Sequence, residues 1–499
     1  MASRFSFVPL DYSNKDNVNV VSGELLTDKN TGHVYIRKAD GSLVSKTVDL
    51  TIQTENIEER LETLSVTIGN SDTSSTTGTS DTTGTSDTSD TTGTIGTPGE
   101  FGFGVGIAPS HLVAQFNLSP LAGYTDRMHE NYGNYVDNKG SVFFFLPKCL
   151  IKKTNVLGAP YYGTKTDVCD VGSVNDDGTY VLPRLFINNG LEIDGVFVFS
   201  YTGVNENNFL VSKRFKIPVS THNDNNPVSN ISGVTNGNRY DSVFQAVKSY
   251  DNNLSVCPAF LYTFIADIAD CHSQACIINE NNNPCQFNDI LPYQIKGNNN
   301  NALKDINDNS VTYQSSGYSN CGLTGSVENS VLGKISHNGQ PCGGKDFNGN
   351  MWEIMSGWIT DTSGNHYILK ESVDIKTITL DNLYDLSLYD VITIETGILD
   401  DSFKKFGNSE NMLNAFSIDR TSNDYKFSQI GLPLLASTSS GGTNRFGNDG
   451  LWAYQRNEML PLASGVWDHG ENSGPRTRYS NHVRSNSVSS VGVRAYLVP

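Results

Sequence analysis

The chain has 499 residues, of which 18% are charged and 10% aromatic, with a formal net charge of -18. That length accommodates two or three ordinary domains or one large one, and the aromatic content argues for a folded chain rather than a disordered one. The acidic balance disfavours nucleic acid as a ligand, no stretch approaches the roughly 18 apolar residues of a membrane-spanning helix, and the start Met1-Ala-Ser-Arg-Phe-Ser-Phe lacks the apolar core of a secretory signal, so neither export nor membrane insertion is expected.

Composition divides the chain into three zones. In residues 1–68, His33-Val-Tyr-Ile-Arg alternates as a strand does, between turns at Asp28-Lys-Asn-Thr-Gly and Ala39-Asp-Gly-Ser. These predict a small hairpin unit, too short to bury much core alone. Residues 54–64 read as a helix: Thr54 can cap it, and Ile57, Leu61 and Leu64 fall on one stripe, with Leu50 in the same heptad phase upstream. A helix this short is marginal in isolation, so its stripe is expected to pack against copies of itself as a short coiled coil, or else on the preceding hairpin.

Residues 69–99 repeat Thr, Ser, Gly and Asp and carry no apolar side chain until Ile95. Such a segment cannot offset its ordering entropy by burial and is expected to act as a flexible linker.

From residue 100 to 499, strands are expected at Ser141–Pro147, Gly195–Tyr201 and Lys213–Val219, and helices at Arg239–Ser249 and Pro258–Gln274, with a possible subdivision near 225. In the second helix Phe260, Phe264, Ile265, Ile268 and Ala269 form the apolar stripe. The eight cysteines are expected to be reduced and mostly buried. Cys271-His272-x-x-x-Cys276, followed by Cys285, holds zinc-type ligands, but its spacing departs from Cys-x2-Cys; core thiols are the reading adopted and no metal is assigned.

Two segments of this zone carry a family resemblance. Asp346-Phe-Asn-Gly-Asn-Met-Trp-Glu353 resembles the signature of the formylglycine-generating-enzyme type of C-type-lectin fold, and Ser489-Ser-Val-Gly-Val-Arg494-Ala-Tyr-Leu497 is similar to its closing strand. Asp346, Gly349, Asn350, Trp352, Glu353, Gly492 and Arg494 are the matching positions. Gly349 suits a tight turn, Trp352 a core anchor, and Arg494 among apolar neighbours needs a buried partner, for which Glu353 is the candidate. The segments Phe143–Lys148 and Leu185–Pro218 are similar to the front half of related phage fibre domains. Ser22–Ile36 is similar to virion-attachment segments that precede a short coiled coil.

The resemblance implies an α+β chain: a small N-terminal β unit with a short coiled-coil helix, a flexible linker, and a large C-type-lectin-like recognition domain. It implies a bacteriophage head or tail fibre, a homotrimer joined through Leu50, Ile57, Leu61 and Leu64. Its residues 1–68 would hold capsid or tail proteins, and the particle would be assembled in the host cytoplasm. Host glycan or receptor binding then falls to the C-terminal loops: Trp452, Tyr454, Arg456, Asn457, Trp467, Asp468, His469, Asn472, Arg478, Tyr479, Asn481 and His482. Aromatic, Arg and Asn side chains are what adaptable binding surfaces use. Members of this kind are sometimes diversified in such loops.

The family's enzymes need cysteines near the C-terminal end, and none follows Cys342 here. No Gly-x-x-x-x-Gly-Lys-Ser/Thr, His-Glu-x-x-His or Gly-x-Ser-x-Gly motif is present, so no enzyme and no catalytic residue is expected. Asp305-Ile-Asn-Asp-Asn-Ser and Asn175-Asp-Asp-Gly are oxygen-rich, which leaves a structural calcium open and otherwise no cofactor. A capsid decoration protein without binding activity and a virion-associated depolymerase are the alternatives.

Overall fold

The computed structural model describes residues 93–156, 163–170, 179–278, 284–286, 295–394, 398–406, 417–432 and 449–499, together with the backbone of four short strands nearer the start. The chain divides into two units, Met1–Asp87 and Thr88–Pro499. In the first, Leu25–Asp28, Val34–Arg37 and Leu43–Lys46 pair antiparallel in sequence order, and Pro9–Leu10 joins Leu25–Asp28 in parallel. These are the hairpins that the alternation at His33–Arg37 predicts. The helix expected over 54–64, with Leu50, Ile57, Leu61 and Leu64, lies outside the described residues, as does the linker up to residue 92.

Residues 93–99, grouped with the linker by composition, belong to the second unit. Ile95 is fully buried, its N–H donates to Asp170 at 2.9 Å, and its carbonyl accepts from Gly104 at 2.8 Å. The first apolar side chain after the low-complexity run is thus already an anchor.

Two six-stranded sheets organise the second unit. The first orders Leu254–Val256, Ala495–Leu497, Gly195–Phe199, Val142–Pro147, Asn134–Val136 and Ser119–Pro120, all antiparallel. Strands Val142–Pro147 and Gly195–Phe199 read as continuous apolar runs because both of their faces are covered; every residue of the second is buried. The other sheet orders Ser402–Lys405, Gly450–Ala453, Arg478–Tyr479, Leu462–Ala463, Trp352–Ile354 and Val491–Gly492. A three-stranded sheet of Trp358–Thr360, His366–Leu369 and Tyr389–Ile392 completes the scaffold. Both helices expected from periodicity are present, at Ser242–Tyr250 and Ala259–Ile278. The second is buried almost all round, well beyond the predicted stripe, and carries Asp267, Asp270 and His272 inward as well.

The run Lys213–Val219 is not a strand. The strand stops at Ser212, paired with Gly203–Glu206 as a hairpin. Beyond it Phe215 takes the left-handed region at φ 60° and is exposed. Lys213 and Lys216 both turn back to Glu206, and the backbone of 215 and 216 bonds to Thr324 instead of continuing the ladder. Near 225 the chain runs on within the same unit: the Asn225 amide donates to the Ser489 carbonyl at 3.2 Å.

Candidate functional site

The two signature segments meet in the core. Trp352 and Glu353 pair in parallel with Val491 and Gly492, and three residues later the chain enters the first sheet at Ala495. Arg494 stands at that crossing. Its Nε and Nη2 each lie 2.9 Å from the Glu353 carboxylate, and neither side chain has any exposed surface. Nη1 donates to the Phe199 carbonyl at 2.8 Å and Nη2 to that of Lys345 at 2.6 Å, while the guanidinium lies over the Phe347 ring at 4.0 Å. Thr202 and Tyr262 donate to the two oxygens of Glu353 at 2.6 and 2.7 Å. The partner expected for Arg494 is the one observed, and a pair this fully bonded holds two sheets together rather than doing chemistry.

The turn before it is equally committed. Gly349 has φ 75°, and a Cβ there would stand 2.3 Å from the Asn298 carbonyl oxygen. The Asn350 side chain accepts from Gly322 N–H at 2.7 Å and from Asn298 at 2.9 Å. Asp346 accepts from the Tyr313 hydroxyl and the Gly325 N–H. Burial raises the Asp346 carboxyl above the usual range.

The second sheet has two chemically distinct faces. Phe403 pairs with Trp452 and Trp452 with Tyr479, so the three share one face. Phe403 and Trp452 lie 4.8 Å apart, Trp452 and Tyr479 5.3 Å, and the His469 ring stacks on Trp452 at 4.6 Å. Trp352 supports them from below, edge-on to Trp452 at 5.5 Å. The row continues through His482, 4.7 Å from Tyr479, to the Tyr240 hydroxyl. Tyr454 lies beside this row with the Arg456 guanidinium 4.9 Å over its ring, held by Asp401 at 3.0 Å. Phe403, at 36% exposure, opens the row to solvent, while Trp452, Tyr454, Tyr479 and His482 are half-buried. Burial keeps His469 below the ordinary histidine range and takes His482 down to about 4, so both imidazoles of this surface are uncharged near neutrality.

Six of the twelve residues expected to bind ligand are therefore brought together: Trp452, Tyr454, Arg456, His469, Tyr479 and His482 form the patch. Asn457 and Asp468 are exposed, and Asn472 and Asn481 half-buried, on the same stretch of chain. Two are not at the surface. Arg478 has no exposed area and donates to the carbonyls of Pro475 and Thr477 at 3.2 and 3.0 Å. It adjoins Tyr479 in a strand, and alternation across the pleat sends one outward and the other inward. Trp467 is 7% exposed and packs edge-on to Tyr318 at 6.2 Å, filling the core under the loop.

Two features escaped the sequence reading. Lys153 and Arg476 converge on Asp267 at 2.8 and 2.7 Å, and Arg476 also reaches Asp270, so the long helix is pinned by buried charge from both sides. Asp267 and Asp270, one helical turn apart in an apolar run, were the signal. Nearby, burial pushes the Asp449 carboxyl up to about 8, and its Oδ1 has no hydrogen-bond partner. A cleft of about 290 Å³ is lined by Arg184, Glu371, Asp390, Arg420, Tyr425 and Lys426, with Arg420 on Glu371 at 2.9 Å and Lys426 on Asp390 at 3.2 Å. Nothing local in the sequence marks it, because its residues come from four separate segments. Of the thiol cluster singled out in the sequence and read there as core thiols, His272, Cys276 and Cys285 converge, their ligand atoms within 4.8 Å of one another. No cysteine is in a disulfide, and all but Cys169 are buried.

The Asp305 loop is occupied by its own backbone: one carboxylate oxygen accepts from Gly297 N–H, the other from Asn307 and Asp308 N–H. Asp308 is held by Lys334 at 2.8 Å. Asn175–Gly178 lies outside the described residues. No protein-family model matches the chain, and no curated protein shows significant similarity to it.

Proposed function

We propose that this chain is a non-enzymatic fibre subunit of a bacteriophage particle. It is held to the virion by residues 1–68, assembles as a trimer through the 50–64 stripe, and binds a host-surface glycan through the aromatic patch of its second unit. The observation that carries the proposal is the half-exposed row Phe403, Trp452 and Tyr479, with Tyr454 and Arg456 beside it. Rigid aromatic faces offer large contact area at little entropic cost and suit the apolar faces of sugar rings, while Arg456 and the neighbouring Asn457 and Asn481 supply polar partners. A low-affinity patch of this size gains from repetition, which a fibre of several copies on one particle provides.

The experiment is retention of host cells, and of an arrayed glycan panel, by the full-length protein beside a Trp452→Ala/Tyr454→Ala variant. Retention by the parent protein and its loss in the variant support the reading. Equal retention by both moves the site away from the patch. No retention by either, with the protein present on purified particles, leaves a shell-decorating role. The cleft holding Glu371 and Asp390 gives the depolymerase alternative its own check: polysaccharide cleavage abolished by Glu371→Gln or Asp390→Asn replaces a binding module with a hydrolase.

A further inference from the structure

We propose that His272, Cys276 and Cys285 form a binding site for a divalent metal ion of the zinc class. His272 and Cys276 are four apart near the end of helix Ala259–Ile278 and so share one face of it. Cys285 comes from the short piece 284–286, which is tied to the loop opposite by Gln286 N–H donating to the Gly339 carbonyl at 2.7 Å. All three side chains are buried. Among the described residues no other three metal-ligating groups converge in this way.

The geometry is close to what a metal requires. Ligand atoms of a tetrahedral zinc site stand roughly 3.3–3.8 Å apart, and Cys276 Sγ lies 3.7 Å from His272 Nε2. The third atom lies within 4.8 Å of both, so side-chain rotation of well under a bond length per ligand closes the set. Two thiols and an imidazole are a soft donor set that favours zinc over calcium or magnesium. A neighbouring ring also fixes the orientation of the imidazole: Phe103 stacks on it at 5.0 Å with 10° between planes.

Two contacts have to change. Gly99 N–H points at His272 Nδ1 at 3.1 Å, and the Gln340 amide nitrogen, its oxygen taken by Gly102 N–H, lies 3.2 Å from Nε2. A metal bound at Nε2 displaces the Gln340 contact, leaves the ring proton on Nδ1 and so opens the Gly99 contact, and sends the thiol protons to solvent. The ion then clips the end of the buried helix to the segment that follows it. Three protein ligands leave one tetrahedral position over, and burial marks the site as structural.

The test uses the full-length protein, purified under reductant and stripped of metal, then loaded separately with Zn²⁺ and Co²⁺. The expected result is one Zn²⁺ per chain retained through gel filtration and, with Co²⁺, a thiolate-to-metal charge-transfer band. Both are lost in Cys276→Ser and in Cys285→Ser and kept in Cys321→Ser, a buried thiol elsewhere. Zinc-edge X-ray absorption on the unaltered protein covers the case in which a serine variant fails to fold; it should show two sulfur ligands and an imidazole nitrogen. Failure to retain metal, a shell of nitrogen and oxygen alone, or a Cys276–Cys285 disulfide in protein isolated under reductant would each overturn the proposal.

Discussion

On the inward face of the second sheet, Arg478 and Glu353 are fully buried and their strong contacts are to backbone carbonyls, a charged partner or buried hydroxyls. On the outward face of the same strands, one residue along, stand Tyr479 and Trp452, half-buried and set among other rings. The same residue types serve both sides: Arg494 lies over Phe347 in the core, and Arg456 over Tyr454 at the surface. What separates them is enclosure. A guanidinium enclosed among carbonyls and a carboxylate specifies one packing; Arg456, though bonded to Asp401 and the Gln455 carbonyl, keeps part of its surface open.

That contrast can be broken from the inside first. Arg494→Met strands the Glu353 carboxylate without its cation in the core, and should cost about 3–5 kcal/mol in urea unfolding. A loss under 1 kcal/mol, on the scale of an exposed pair, would mean that the pair does not join the sheets. On the outer face Trp452→Ala should weaken glycan or cell retention by about 2 kcal/mol, the scale of a central aromatic anchor, with near-native circular dichroism. Unfolding instead of weakened retention would reassign Trp452 to the core.

Asp449 sharpens the comparison through pH. Its folded value lies near 8 against an ordinary 3.8, so between those values the folded chain keeps a proton that the unfolded chain has released. Its contribution to stability is full below the lower value and declines as the pH rises to the upper one, by at most about 1.4 kcal/mol per pH unit. Asp449→Asn should remove that decline, seen as a stability difference from the parent protein that changes with pH; a constant difference would place the carboxylate in its charged form. The smallest effect expected is at the rim. Deleting the Arg456–Asp401 pair with Asp401→Ala should change stability by under about 1 kcal/mol, while any change in retention would report on how Arg456 is aimed.

How far the sequence foretold this follows from where the information is local. Apolar runs at Val142–Pro147 and Gly195–Phe199, the two main helices, and the Glu353–Arg494 partnership were legible, because continuous burial and a lone arginine among apolar residues leave few alternatives. The run 213–219 misled because Phe215, Ile217 and Val219 imitate a strand, while the bonds that decide it come from Thr324, over a hundred residues on. Arg478 and Trp467 looked like binding residues by type; only strand register and the depth of the loop show them buried. The Arg476 network and the cleft at Glu371 depend on contacts between distant segments, which no window of sequence displays.

Strand Ala495–Leu497 occupies an interior position of the first sheet, where Phe197 pairs with Leu497, 300 residues further along. During translation, the runs around Phe143–Leu146 and Val196–Phe199 emerge long before the strand that completes their sheet. The contact order of this unit is accordingly high, and closure waits on late synthesis. Nascent chains arrested ahead of Val491 should remain protease-sensitive throughout the second unit and depend on chaperones. Release of the last two strand segments should convert the whole unit together.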